Sequence, residues 1–218
     1  MLMDFRNAVK ISFCGEEMWL DGRRAVYWPN ENALLCSDLH VGRAGHYRKN
    51  GIPMGLELAD EDLECLSELI HDYEVDKVYF LGDLFHSEFN FEFDDFASFI
   101  NSYPEVKFIL IPGNHDRFFL KDIQLEGLWV EKKVITKSGI DLIHEREDAN
   151  QCSISGHIHP AVRLNGRGRD AITLPCFEIC NNHMLLPAFS RQTGGYVLKP
   201  NREKKYYPIL KEKIAVAG

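Results

Sequence analysis

The sequence predicts a layered fold of the α/β or α+β class, and three observations predict it. Short apolar runs of β character alternate with stretches of helical period. The chain is 45% hydrophobic over 218 residues, enough to bury one sizeable core. Acids, histidines and an asparagine close one apolar run after another, as they do where ligands bind beyond the carboxyl ends of strands.

The runs that read as strands are Ala33 to Cys36, Val78 to Leu81, Val106 to Ile111, Leu142-Ile143, Ser153 to Ser155, Ile172 to Leu174, Met184 to Leu186 and Tyr196 to Leu198. Between the first two, Ala59, Leu63, Leu66, Ile70 and Tyr73 recur at alternating helical spacings and predict an amphipathic helix. The acids from Glu57 to Asp76 read as its solvated face. A second helix is predicted over Asp94 to Ser102, ended by Pro104. The phenylalanines around it (Phe89, Phe91, Phe93, Phe96, Phe99) read as core packing or as a subunit contact, which leaves a homo-oligomer open. With no linker, repeat or low-complexity tract, residues 1–218 read as a single domain with a basic C-terminal segment, 199–218.

Composition excludes several classes. The formal charge of -8 argues against a protein that coats nucleic acid through bulk charge. No apolar stretch is long enough to span a membrane, and the first residues lack the basic-then-apolar order of a secretion signal. The six cysteines (Cys14, Cys36, Cys65, Cys152, Cys176, Cys180) form no CxxC pair and read as reduced thiols of a cytoplasmic protein.

The chemistry lies at five strand ends. They read Asp38-Leu39-His40, Gly82-Asp83, Gly113-Asn114-His115-Asp116, Ile143-His144 and Gly156-His157-Ile158-His159. In an extended chain, residues two apart share a face, so Asp38 with His40, and His157 with His159, can each address one ion. Asp38, His40, Asp83, Asn114, His144, His157 and His159 are more donors than one first-row ion needs. They suit two divalent transition-metal ions sharing a carboxylate, for which Asp83 is the natural bridge. The mixed N/O set favours Mn, with Fe, Zn, Ni or Co as alternatives. Two ions about 3.5–4 Å apart are the clamp of phosphoester hydrolysis, activating water and neutralising phosphate oxygens.

These blocks resemble, in order and spacing, those of the calcineurin-like metallophosphoesterase superfamily. The resemblance implies a four-layer α/β/β/α sandwich, two mixed sheets flanked by helices, with the metal centre at the sheet edge. It implies that Asp38, His40, Asp83 and His159 hold one ion and that Asp83, Asn114, His144 and His157 hold the other. His115 would stand beside them to bind phosphate and protonate the leaving oxygen, with Asp116 orienting it. The flanking segments Ser37 to Arg43, Tyr47 to Gly55, Gly82 to Ser87, Leu174 to Phe177, Leu186 to Ser190 and Thr193-Gly194-Gly195 narrow the resemblance. They are similar to the ligase-associated, PdeM-like family of DNA repair endonucleases, which implies functional association with a DNA ligase and a helicase. The chain departs from that pattern at Arg43, at Glu145-Arg146 and at Gln192, and no departure removes a ligand.

Charge is unevenly spread. Residues 1–159 hold 15 Lys+Arg against 29 Asp+Glu, whereas residues 160–218 hold 10 against 4. Arg163, Arg167 and Arg169 follow the last ligand and, with Arg43 and His86, are candidates for substrate contact. Tyr206 and Tyr207 beside Lys204 and Lys205 suit nucleic acid. His46, His71 and His183 read as surface or structural. The expected function is hydrolysis of phosphodiesters, with DNA as substrate. The alternatives are a phosphomonoesterase or small-nucleotide phosphodiesterase, and a scaffold without catalysis.

Overall fold

The first sheet begins as an antiparallel meander. In the computed structural model, which describes residues 7–49, 51, 57–86, 91–116, 125–146, 150–166 and 170–215, β1 (Ala8–Phe13), β2 (Glu16–Asp21), β3 (Ala25–Trp28) and β4 (Ala33–Cys36) pair in sequence order. The β1–β2 reversal uses two residues, Cys14 and Gly15, both at positive φ, as a hairpin with matching twist requires. Three parallel strands extend the sheet: β5 (Lys77–Phe80), β6 (Lys107–Leu110) and β7 (Leu128–Val130). Helices α1 (Arg43–Lys49) and α2 (Glu57–Tyr73) lie between β4 and β5, and α3 (Phe91–Asn101) between β5 and β6.

The second sheet takes β8 (Val134–Ile135), β9 (Asp141–Leu142), β10 (Ser153–Ser155), β11 (Pro160–Asn165), β12 (Ala171–Cys180), β13 (His183–Leu185) and β14 (Tyr196–Val197) in the spatial order 14-11-12-13-10-9-8. Strand β15 (Lys204–Leu210) pairs with β12 and with β16 (Lys213–Ile214). Both sheets are mixed, as the fold class requires, and the described α-helices all precede Ser102. No helix among the described residues is long and apolar enough to cross a membrane.

Period-two alternation on β4, β5 and β6 builds two cores from one set of strands. Leu34, Val78, Phe80, Phe108 and Leu110 face α2 and α3, whereas Leu35, Tyr79, Leu81, Ile109 and Ile111 face the second sheet. Strands covered on both faces are apolar throughout, which makes them legible in sequence. Strands β1, β2, β3, β7, β8, β11, β15 and β16 are not among those read from the sequence, β3 among them although its four residues are apolar and all buried. Helix α2 buries Leu66, Leu69, Ile70 and Tyr73. The phenylalanines of α3 pack inward, Phe96 against Phe80 and Phe85, and Phe99 against Phe108. Phe89 and the side chains of Ala59 and Phe91 lie outside the described residues.

Two sequence readings change. The acidic face of α2 is solvated at Glu61, Glu64 and Glu68, but Asp62 is only 5% exposed. Its Oδ1 accepts a bond from the Arg191 amide at 3.3 Å, and burial pushes its carboxyl up to about 6. The cysteines are not all reduced: Cys14 in the β1–β2 turn is bonded to Cys152, just before β10. Cys36, Cys65, Cys176 and Cys180 are free. A pairing across 138 residues leaves no mark in local spacing.

The disulfide ties one sheet to the other and closes a long loop. Replacing both cysteines, Cys14→Ser with Cys152→Ser, should lower unfolding free energy by about 2–4 kcal/mol in urea titrations while leaving the circular dichroism of the native state unchanged.

Candidate metal centre

The five motif segments meet because each follows the carboxyl end of a parallel-paired strand. Asp38 and His40 follow β4, Asp83 follows β5 and Asn114 to Asp116 follow β6, whereas His144 follows β9 and His157 and His159 follow β10. Backbone bonds lace neighbouring loops together: the Asp38 amide donates to Gly82 O at 3.0 Å, the His40 amide to Asp83 O at 3.0 Å, and the Gly156 amide to His144 O at 3.2 Å. Within these turns Asp38, His40, Asp83, His157 and His159 all adopt positive φ, from 49° to 75°. Left-handed backbone is costly for such residues, and five instances at one edge mark strain held by the surrounding fold at a functional site.

Two groups of ligand atoms result, Asp38 with His40 and His159, and Asp83 with His144 and His157, each with its atoms within 4.8 Å of one another. In the first, Asp38 Oδ1, His40 Nε2 and His159 Nε2 are buried and make no hydrogen bond. Asp38 Oδ1 and His159 Nε2 lie 3.2 Å apart without hydrogen-bond alignment. Three convergent buried atoms left unbonded would be destabilising in an apoprotein, and they fit a divalent cation. Their far sides are anchored. Asp38 Oδ2 accepts bonds from Ser37 Oγ at 2.6 Å and the His157 amide at 3.0 Å, and His159 Nδ1 donates to Gly194 O at 3.3 Å.

In the second group His144 Nδ1 lies 2.8 Å from Leu81 O, a contact only a protonated Nδ1 can make. Its Nε2 is thereby left as a lone pair, 3.6 Å from Asp83 Oδ1 and 3.1 Å from His157 Nδ1. Orienting an imidazole through its second nitrogen is the usual support of a metal-binding histidine. Asp83 Oδ1 accepts the His115 amide at 2.9 Å.

The charges respond to burial and to each other. Burial opposes ionisation of Asp38, but His159 and Ser37 outweigh it and hold the carboxyl below its usual range. Burial also opposes protonation of His159, and contact with Asp38 reverses that and raises it. His40 is pushed down to about 3, mainly by burial, which leaves a neutral imidazole able to bind metal.

Around this centre the remaining candidates separate. Asn114 and His115 are exposed on the loop after β6, and the His115 ring lies 5.4 Å from the rings of both His40 and His86. Asp116 is fully buried, and its two oxygens accept the amides of Phe85 at 3.0 Å and Gly113 at 2.8 Å. It clamps the loops that carry Asp83 and His115 and, among the described residues, makes no bond to the His115 ring. His86 Nδ1 is 3.4 Å from His40 Nδ1, and burial, with Arg43, His115 and His46 nearby, lowers its ring to about 4. Arg43 lies over the Tyr47 ring at 5.5 Å, and its Nε is buried without a partner. Arg163 is exposed on β11, outside both ligand groups, and Arg167 and Arg169 lie outside the described residues.

Sequence reasoning passed over several supports. Glu92 of α3 is buried and accepts the amides of Gly42 and Gly45, fixing the turn after His40. Nothing in an acidic, Phe-rich run announces that bond. His46, read as surface or structural, packs edge-on to His86 at 5.5 Å. His183 is structural, between Ser153 Oγ and Ser155 Oγ.

Three motif glycines are required by close approach, and at Gly113 a Cβ would collide with the carboxylate and backbone nitrogen of Asp83. A Cβ at Gly82 would collide with the His144 ring, and one at Gly156 with Ser37 Oγ and Asp38 Oδ2. Gly156→Ala should therefore displace the Asp38 carboxylate and weaken Mn(II) binding at least tenfold by isothermal titration calorimetry, with thermal stability reduced by much less than complete unfolding.

Comparison with known proteins agrees with the geometry. Residues 32–151, more than half of the chain, match the family model described as calcineurin-like phosphoesterase. Among solved structures, the Pseudomonas putida nuclease MPE superposes with a TM-score of 0.80 at 27% identity, covering 96% of this chain and 100% of that one. YfcE, a phosphoesterase from E. coli, superposes with a TM-score of 0.46 at 18% identity, covering 84% and 96% of the respective chains. No curated protein matches the sequence. By the extent of the family match the chain belongs to the calcineurin-like phosphoesterases and is a hydrolase of phosphoester bonds with a site for divalent metal.

Proposed function

We propose that this protein hydrolyses phosphodiester bonds in nucleic acid at a dinuclear centre, with Mn the preferred metal. The reading is carried by the two adjacent ligand groups, one of them presenting three buried atoms without hydrogen-bond partners. The likeness to a nuclease over nearly the whole chain supports the choice of substrate. In this reading Asp38, His40, Asp83 and His159 hold one ion, and Asp83, Asn114, His144 and His157 the other. Bound divalent ions would neutralise phosphate oxygens and activate water.

The other roles belong to the chain itself. His115, exposed beside His40, delivers a proton to the leaving oxygen, and Asp116 fixes the loop that carries it. Arg43 brings a guanidinium with a free Nε to the same edge, where a phosphate oxygen would complete it. His86 steadies His40 through their facing Nδ1 atoms. A cytoplasmic role in DNA repair, beside a ligase and a helicase, is the extension suggested by the ligase-associated motifs.

The Mn-loaded protein should cleave bis-p-nitrophenyl phosphate and oligodeoxynucleotides, and chelation should abolish both until Mn is restored. Asp83→Ala or His157→Ala should reduce turnover at least 1,000-fold, an order-of-magnitude figure for loss of a metal ligand. Activity surviving either change would overturn the dinuclear reading. Turnover of p-nitrophenyl phosphate without turnover of any diester would favour a phosphomonoesterase instead.

His115→Ala should slow cleavage of dinucleotides, whose leaving group needs a proton, by about 100-fold or more. Cleavage of nitrophenyl esters, whose leaving group does not, should change far less. Equal losses would remove the general-acid role.

A further inference from the structure

Beyond the metal centre, β11, β14 and β15 enclose an open groove of about 750 Å³. Its lining combines cations, apolar side chains and aromatic rings: Arg163 and Leu164 from β11, Val197 from β14, and Lys205, Tyr206 and Tyr207 from β15. Leu164 and Val197 are 44% and 43% exposed, and neighbouring Tyr196 is 63% exposed. Large apolar side chains left in water along one groove point to a ligand surface.

The charge of the groove is specific in sign. Arg163 and Lys205 are exposed and have no carboxylate partner among the described residues. Of the four acids after His159, Glu178 is bonded to Lys204 and Glu212 to Arg191, which leaves only Asp170 and Glu203 to oppose the eight remaining cations. The groove is also continuous with the metal centre. Strand β11 starts at Pro160, immediately after His159, and β14 lies parallel to it, with the Tyr196 amide donating to His159 O at 2.8 Å. Both walls therefore lead away from a metal ligand. At about 3.3 Å per residue, Arg163 stands roughly 13 Å along the strand from His159.

We infer that this groove binds the single-stranded flank of a nucleic-acid substrate whose scissile phosphate lies at the metal centre. The inference rests on the phosphodiesterase reading above and adds where the rest of the polymer goes. Arg163 and Lys205 meet successive phosphates, and Tyr206 offers a face to a base. An apolar and aromatic floor is of use only to unpaired bases, because a duplex presents phosphates and hides its base faces.

The test is fluorescence anisotropy of a labelled phosphorothioate oligothymidylate, which resists hydrolysis, on the Mn-loaded protein. Lys205→Glu should weaken binding at least fivefold and reduce the salt dependence by about 0.7 in log–log slope, the effect of one phosphate contact on a single strand. Hydrolysis of bis-p-nitrophenyl phosphate, too small to reach the groove, should stay within twofold of wild type and show that the variant is folded. Adding Arg163→Glu should weaken the oligonucleotide further. Tyr206→Leu should weaken it about fivefold, whereas Tyr206→Phe, which keeps the ring and loses only the hydroxyl bonds to Lys199 and Asn201, should bind as wild type. Unchanged affinity in Lys205→Glu would overturn the inference. So would a duplex of equal length binding more tightly with the same sensitivity, or polyglutamate competing as well as oligothymidylate. Groove-dependent binding without hydrolysis of any diester would instead defeat the catalytic reading and leave the groove standing.

Discussion

The Asp38 carboxylate is the contact on which the rest of the centre depends. It stands at the end of β4 in the first sheet, yet Oδ2 accepts the backbone amide of His157 from the second sheet. Its Oδ1 faces His159. One buried anion therefore fixes the spacing between two sheet edges, and the strained turns on either side hold their shape because that anion and the backbone lacing between loops over-determine them. Ser37 adds a second tie, its single hydroxyl proton lying between Asp38 Oδ2 and the Leu81 carbonyl just beyond the next strand.

Other buried acids repeat the device at one remove. Asp116 gathers the amides of Phe85 and Gly113, Glu92 gathers those of Gly42 and Gly45, and Asp21 takes Arg23 and the Tyr73 hydroxyl where β2 meets α2. A carboxylate accepting backbone amides is a strong, directional tie. Several acids thus lie inside the fold organising backbone, while in the last quarter of the chain Arg163 and Lys205 stand exposed. The net figure averages two populations with different work: internal acids that shape the catalytic edge, and external cations along β11 and β15 suited to a polyanion.

Legibility in the sequence followed burial. Strands β4, β5 and β6 are covered on both faces and stand out as apolar runs, whereas β1 and β2 mix polar and exposed positions with buried ones; β3 is the exception, apolar and buried at all four residues yet passed over. The ligand candidates stood out because metal-binding side chains at strand ends have few structural substitutes. Their supports did not: Glu92, the Leu81 carbonyl and the Gly194 carbonyl act from positions with no distinguishing residue pattern. Asp62 looked like one more solvated acid in a helical run, and its burial against the Ser190 side chain and the Arg191 amide sets it apart.

By itself the sequence determined the fold class, the family and the set of residues able to bind metal, because these rest on residue type and on spacing within short segments. Tertiary structure alone decided that six of the seven ligand candidates gather in two groups of three, that Asp116 serves loops and makes no described bond to the exposed imidazole beside it, and that Cys14 is joined to Cys152. It also decided that the basic tail returns to β12, forming with β11 a groove that leads from His159. The physical reason is common to all of these. They are contacts between segments distant in sequence, set by sheet pairing and by which buried polar atoms find partners, and neither quantity is written in any local pattern.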